Sequence, residues 1–161
     1  MVSVSVILGS DSDIPVYEKV KEVLNNFGIQ HESRILSAHR TPEELKDYIK
    51  SAEKKGIKVF IGIAGLSAAL PGAIASYTTR PVIGVPALGR TSPGGLDALL
   101  SIAQMPPGVP VAAVGIENGR NAALLALRIL GVFDENLNER LKKFAEDQKE
   151  LVLRKDKDFQ G

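Results

Sequence analysis

An imidazole and a guanidinium stand side by side at His39 and Arg40, close to the hydroxyl of Ser37. Histidine is the side-chain type that exchanges protons most readily near neutral pH, and a guanidinium binds phosphate through paired hydrogen bonds. The segment therefore predicts an acid/base group beside an anion site, although a surface histidine without a role is equally compatible with its position. The second histidine, His31, lies among polar residues within a predicted strand, so we interpret it as structural.

A second segment that could do chemistry is Gly9–Asp13, which offers hydroxyls and backbone N–H groups at the start of a predicted helix. Such a position suits a phosphate or a sugar. The segment lacks the lysine of a P-loop, and the chain contains no GxGxxG pattern, so these two nucleotide-binding motifs are excluded. The alternative is that Asp13 only caps the helix, a common role for aspartate.

The segment Gly65–Gly72 is built mainly from small residues, which allow a ligand to approach the backbone or a helix to pack closely. We take Ser67, Ala69 and Leu70 from it as candidates for lining a pocket. The segment Gly89–Gly95 predicts either a mobile lid or an ordinary surface turn.

Weaker candidates lie in the later loops. Arg90 is interpreted as an anion ligand or, more simply, as a solvated side chain, and Asp97 as a cap or part of the site. Three polar residues before the fifth long helix are interpreted mainly as caps rather than substrate ligands: Asn118, Arg120 and Asn121.

These segments must be positioned by an alternation of strands and helices. Apolar runs predict strands at residues 2–8, 29–36, 59–63, 81–85 and 110–116. Helical spacing predicts helices at 14–27, 42–55, 70–77, 96–103, 121–130 and 134–155, with 156–161 as a frayed tail. We expect Asp13 to cap the first helix and Thr41–Glu44 to form a capping box.

Strands that are apolar throughout favour a parallel sheet covered on both faces, a doubly wound α/β sandwich. In that fold class ligands bind at the carboxyl ends of the strands, where all the segments above lie.

Composition narrows the classes of function. The 161 residues favour a single domain over residues 1–161, and a net charge of +1 argues against general affinity for nucleic acid or anionic membranes. The absence of cysteine excludes disulfides and thiolate chemistry, and two histidines nearly exclude a multi-histidine metal site. No apolar run reaches about 18 residues, and no signal-peptide pattern is present, so a cytoplasmic protein is expected.

Five motifs occur together in a fixed order along the chain. They are Gly9–Asp13 (GSDSD), Ser37–Pro42 (SAHRTP), Leu70–Gly72 (LPG), Gln104–Pro106 (QMP) and Asn121–Leu125 (NAALL). This ordered set closely resembles the N5-carboxyaminoimidazole ribonucleotide mutase family of purine biosynthesis, and the resemblance extends from Val4 to the last helix.

The resemblance implies a flavodoxin-like three-layer subunit, a homo-octamer, and neither a metal nor an organic cofactor. The implied reaction moves a carboxylate from the exocyclic N5 of carboxyaminoimidazole ribonucleotide to ring carbon C4 by decarboxylation and recarboxylation. Ser10 and Arg40 would bind the phosphate with help from Ser37, Asp13 would bind the ribose, and His39 would carry the proton.

One position departs from the mutase pattern. That class usually has a second histidine directly before Leu-Pro-Gly, where this chain has Ala69. A related carboxylase class, which takes CO2 directly, lacks this histidine and has a serine at the position of Ser67. The mutase is favoured because most of the chain matches it, and the carboxylase stays as the alternative.

Other classes fit less well. A receiver-type signalling module needs an acidic residue at the end of the third strand, where Ile63 and Ala64 stand. A flavin carrier needs aromatic residues over its ring, and none falls in the strand-end loops. A catalytically inactive homologue that serves as an interaction protein is kept as an alternative because of Ala69.

Overall fold

The computed structural model describes residues 2–161. Five strands and six α-helices follow one another as expected of an α/β protein. The strands are β1 (Val4–Leu8), β2 (His31–Ile35), β3 (Val59–Gly65), β4 (Val82–Ala87) and β5 (Ala112–Ala113). The helices are α1 (Ile14–Asn26), α2 (Pro42–Lys54), α3 (Leu70–Tyr77), α4 (Leu96–Ala103), α5 (Gly119–Gly131) and α6 (Glu135–Gln160).

All neighbouring strands are parallel, in the order β2-β1-β3-β4-β5. This is the flavodoxin-like order, in which the chain reverses direction across the sheet between β1 and β3. The predicted doubly wound sheet is therefore confirmed. The reversal leaves a crevice at the carboxyl ends of β1 and β3, where the loops that follow these strands diverge.

The three central strands are buried on both faces, as their continuous apolar sequences predict. Phe60 of β3 packs in one cluster with Ile49 of α2, Ile74 of α3 and Ile102 of α4. Two glycines permit close packing on this face. A Cβ on Gly62 would lie 3.0 Å from Ile74 Cδ1, and one on Gly84 would lie 2.3 Å from Ile102 Cγ2.

The two edge strands differ from the prediction. β2 is shorter than residues 29–36, and three of its five side chains are exposed because it lies at the edge of the sheet. β5 pairs with β4 only at Ala112 and Ala113, not over 110–116. Pro110 has no N–H to donate, although Val114 N–H still donates to Gly84 O at 3.1 Å.

The chain divides into two compact units, one up to Ala126 and one from Leu127 to Gly161. In the second unit α6 is capped by Asp134, whose carboxylate accepts a hydrogen bond from Leu137 N–H at 3.0 Å. The helix continues to Gln160, so the expected frayed tail from 156 is wrong except for the last residue. No helix within residues 2–161 is long and apolar enough to span a membrane.

Candidate functional site

A cavity of about 740 Å³ opens at the carboxyl ends of the strands. The loops after β1, β2, β3 and β4 supply its lining. The main site candidates from the sequence all border this cavity: Ser10, Asp13, Ser37, His39, Arg40, Ser67, Ala69 and Leu70. The residues singled out in the sequence therefore lie together at one edge of the sheet.

The loop after β1 ends in a single 3-10 turn, Asp11–Asp13, before α1 begins. Ser10 is the cap of this turn: its Oγ accepts from Ser12 N–H at 3.3 Å and donates to Asp11 Oδ1 at 2.9 Å. Asp13 Oδ2 accepts from Ser10 N–H at 3.0 Å. The expectation that the Asp13 side chain caps α1 is wrong, because its carboxylate turns back into the loop.

Asp13 is only 5% exposed, unlike most carboxylates. Burial raises its pKa to about 6, and the charges of Glu117 and Asp11 act in the same direction. The Ser10 N–H opposes this by stabilising the ionised form. Asp13 thus changes charge close to neutral pH at the wall of the cavity.

The loop after β2 is closed by Thr41. Its Oγ1 accepts from Ser37 N–H at 2.9 Å and donates to Ser37 O at 3.1 Å. The predicted capping box is wrong in this respect: Thr41 precedes Pro42 at the start of α2, but its hydroxyl bonds backward rather than to the helix. The result is a compact turn that presents residues 38–40 to the cavity.

Arg40 links the first two loops. Its Nε donates to Ser37 Oγ at 3.4 Å, and a terminal nitrogen donates to the carbonyl of Gly9 at 3.3 Å. The Arg40 N–H also donates to Ser37 Oγ, at 3.2 Å. A guanidinium fixed beside the N–H groups of a helical turn is a suitable anion site.

His39 is exposed and borders the cavity, and it makes no hydrogen bond or ion pair with any residue from 2 to 161. Its ring nitrogens are therefore available to a bound molecule. His31 lies outside the cavity lining, and its Nε2 is 3.3 Å from the Tyr17 hydroxyl, which agrees with a structural role.

The loop after β3 has an unusual backbone. Leu66 and Ala68 have positive φ angles of 55° and 22°, a region that side chains other than glycine rarely adopt. Leu66 also packs on Gly89 of the next loop, where a Cβ would lie 2.7 Å from Leu66 Cδ2. Ser67 and Ala69 border the cavity from this strained segment.

The loop after β4 supplies the wall formed by Leu88, Gly89, Arg90 and Thr91. At Arg90 the sequence predicts either an anion ligand or a solvated side chain. Arg90 borders the cavity. Asp97 does not: it accepts a hydrogen bond from Ser92 Oγ at 2.6 Å, which holds its pKa below the usual range.

Glu117 is the residue that sequence reasoning missed. Its Oε1 accepts from Leu88 N–H at 2.9 Å, and Lys19 Nζ donates to its carbonyl at 3.1 Å. Its φ of 59° lies in the left-handed region, which glycine and asparagine adopt more readily than glutamate. No sequence pattern signals this role, because Leu88 and Lys19 are both distant from Glu117 in the chain.

The remaining polar candidates lie outside the cavity lining. Asn118 Oδ1 accepts from Asn121 N–H at 3.1 Å, which confirms capping of α5. Arg120 pairs with Glu22 at 2.8 Å and does not line the cavity. Within residues 2–161, no three His, Asp or Glu side chains are grouped suitably for a metal ion.

The cavity combines an anion site at Arg40, a buried carboxylate at Asp13 and an unpartnered imidazole at His39. Such an arrangement is suited to holding a phosphorylated sugar while one proton is moved on the group attached to it. The apolar walls around Ala69 and Leu70 suit a planar, partly apolar ring.

Several known proteins are similar to this chain over most of its length. The family model for AIR carboxylase matches residues 3–151. The N5-carboxyaminoimidazole ribonucleotide mutase of Pyrococcus abyssi is 52% identical over 149 residues, 92% of this chain and 85% of that protein. The chloroplastic phosphoribosylaminoimidazole carboxylase of Vigna aconitifolia is 54% identical over 148 residues, 92% of this chain but 26% of that protein.

Among solved structures, PurE of Treponema denticola superimposes with a TM-score of 0.89 at 33% identity and covers 98% of both chains. The match thus extends through the whole sheet and the loops that form the cavity. The chain belongs to the AIR carboxylase family, as the family model, the sequence relatives and the shared fold all show.

Proposed function

We propose that this protein is an N5-carboxyaminoimidazole ribonucleotide mutase of purine biosynthesis. It converts its substrate to 4-carboxy-5-aminoimidazole ribonucleotide by moving one carboxylate from N5 to C4. The whole chain, residues 1–161, acts as one catalytic domain.

The main support for the mutase is the share of each relative's length that this chain matches. The Pyrococcus abyssi protein bearing the mutase name is matched over 85% of its own length, so its similarity covers nearly a complete enzyme. The Vigna aconitifolia carboxylase is matched over only 26% of its length, so its name describes a much longer protein. The cavity supports the same reading, because it contains an anion site and an imidazole together.

The phosphate is bound by Arg40 with the hydroxyls of Ser10 and Ser37. Arg40 is already fixed against Gly9 O and Ser37 Oγ, so little freedom is lost when an anion arrives. Asp13 accepts hydrogen bonds from the ribose hydroxyls, for which its ionised form is the better acceptor.

His39 carries the proton in both halves of the reaction. In the first half the N5–carboxylate bond breaks, CO2 leaves, and His39 protonates the nitrogen. In the second half C4 attacks the same CO2, and His39 recovers a proton from C4 as the ring regains aromaticity. One imidazole therefore serves as acid and then as base, and no net proton is consumed.

Retention of CO2 between the two halves requires a cavity that excludes water while the reaction proceeds. Leu66, Leu70 and Leu88 contribute apolar surface to its walls. This surface supports a protected site in which carbon dioxide remains near C4.

The second candidate is a carboxylase that takes CO2 from solution. Ser67 and Ala69 favour it, since the carboxylase class resembles this chain at both positions, and both border the cavity. A product assay separates the two. The mutase forms 4-carboxy-5-aminoimidazole ribonucleotide from the N5-carboxylated substrate in CO2-depleted buffer, whereas the carboxylase needs aminoimidazole ribonucleotide and bicarbonate. An inactive homologue forms product from neither.

We further propose that the protein forms a homo-octamer and acts in the cytoplasm. Leu96 and Leu100 on α4 are 51% and 47% exposed, which supports burial against further copies of the chain.

A further inference from the structure

Arg90 is a second cation at the cavity, and the reaction steps above do not use it. It is exposed, borders the cavity, and makes no hydrogen bond or ion pair within residues 2–161. Arg40 is the other guanidinium in the lining, and it is tied to the loops after β1 and β2. Among the cavity-lining residues described, the carboxylate is Asp13, which is turned toward Ser10 N–H.

The backbone on both sides of Arg90 is fixed. Leu88 N–H donates to Glu117 Oε1 at 2.9 Å before it, and Ser92 N–H donates to Gly89 O at 3.1 Å after it. Ser92 Oγ also accepts from Gly95 N–H at 2.7 Å. An ordered turn therefore presents Arg90, whose side chain has no hydrogen-bond or ion-pair partner within residues 2–161.

The sheet order sets how far apart the loops that carry the two guanidinium groups begin. Arg40 follows β2 and Arg90 follows β4, so three strand intervals separate the loops. At roughly 4.8 Å per interval the loops start about 14 Å apart. Two long side chains reaching inward from these loops can contact opposite ends of one nucleotide.

The proposed substrate has a negative charge at each end. Its phosphate is on the ribose, and its carboxylate is on the exocyclic N5 of the imidazole base, from which it moves to C4. If Arg40 binds the phosphate, the base extends toward the loops after β3 and β4, where Ala69 offers no charge. Arg90 is then the cation available to the carboxylate.

We propose that Arg90 binds the carboxylate of the carboxylated nucleotide and makes the site specific for it over the uncarboxylated nucleotide. This inference rests on the proposed function. Arg90 acts in recognition and charge stabilisation, while His39 retains the proton-transfer role.

The test compares affinities for two nucleotides, 4-carboxy-5-aminoimidazole ribonucleotide and aminoimidazole ribonucleotide, by titration calorimetry. We expect Arg90→Gln to weaken binding of the carboxylated nucleotide by about tenfold or more, the scale of a charge-assisted hydrogen bond. Binding of the uncarboxylated nucleotide should stay within about twofold, which also shows that the variant is folded.

Matched variants complete the design. Arg40→Gln should weaken both nucleotides, and Arg120→Gln, at a surface pair with Glu22 outside the cavity, should weaken neither. Arg90→Lys should recover part of the lost affinity, because it keeps the charge but not the planar fork.

Equal loss for both nucleotides in Arg90→Gln, or no loss for the carboxylated one, overturns the assignment of Arg90. A wild-type protein that binds neither nucleotide overturns the proposed function instead. The two failures are therefore distinguishable in one set of titrations.

Discussion

At the scale of single residues, the chemistry depends on one imidazole. His39 borders the cavity without a partner, and the position where the resemblance implies a second histidine is Ala69. We expect His39→Asn to reduce turnover by about 10²–10⁴-fold, the usual contribution of general acid–base catalysis. Steady-state kinetics on the N5-carboxylated substrate measures this.

The fold should survive the His39 substitution, because the side chain is exposed and packs in no core. Thermal unfolding of the variant provides the control. A folded His39→Asn enzyme with near-wild-type turnover would assign the proton transfer to another group.

Asp13 makes stability depend on pH. Its pKa is raised from 3.8 to about 6 by burial, so between these values the folded state keeps a proton that the unfolded state has lost. The free energy of unfolding contributed by Asp13 therefore falls as pH rises from about 4 to 6, and stays low above that range.

We predict that Asp13→Asn removes this dependence. Asparagine retains an oxygen acceptor for Ser10 N–H but has no charge to bury. The variant should gain stability relative to the wild type on going from pH 4 to pH 7.5, as measured by urea unfolding at both pH values. The raised pKa would be contradicted if the difference in free energy of unfolding between Asp13→Asn and the wild type were the same at both pH values. It would also be contradicted if the variant lost stability relative to the wild type on going from pH 4 to pH 7.5.

At the scale of elements, the central sheet could be predicted because its strands are apolar on both faces. Val59–Gly65 and Val82–Ala87 have no polar side chains, so burial dictates their place. The edge strand β5 could not be delimited, since an edge strand pairs on one side and Pro110 lacks a donor. The apolar content of a segment does not show whether the strand has a neighbouring strand on one side or on both.

The position of the candidate site could be predicted from the sequence, because it follows from the parallel sheet. Parallel strands direct their following loops to one edge, so His39, Arg40 and Ser10 meet there once the fold is recognised. The hydrogen bonds within the loops could not be predicted: Thr41 and Asp13 both bond backward instead of capping their helices. A side chain near a helix start has several acceptors and donors within reach, and residue type alone does not select one.

Glu117 shows how a distant element positions a cavity wall. We predict that Glu117→Ala accelerates amide exchange of the Leu88–Thr91 segment by roughly tenfold or more, because Leu88 N–H loses a charged acceptor. Exchange detected by mass spectrometry on the peptide containing Leu88 measures this.

Glu117→Gln is the matched control. It keeps an oxygen acceptor and suffers the same positive φ, so exchange of that peptide should remain near the wild-type rate. Equal acceleration in both variants would mean that the charge of Glu117, and not its hydrogen bond to Leu88 N–H, holds this wall.

At the scale of the whole molecule, exposed apolar residues predict self-association. Besides Leu96 and Leu100, the α6 residues Val152 and Leu153 are 65% and 52% exposed. We expect light scattering to give a mass near eight times the subunit mass of 17.2 kDa. A stable monomer at micromolar concentration would contradict this, and Leu100→Arg should reduce the assembly if α4 is part of the interface.

In the proposed mutase reaction, the carboxylate that leaves N5 is the one that arrives at C4. The most direct test supplies substrate with a ¹³C-labelled N5 carboxylate in buffer containing unlabelled CO2, with mass spectrometry of the product. We expect the product to keep the label, with or without added carbonic anhydrase, because CO2 released in the cavity would recombine with C4 before it exchanges with solution. Product that contains unlabelled carbon from solution would contradict carboxylate migration within the cavity and favour the carboxylase, which takes its CO2 from solution.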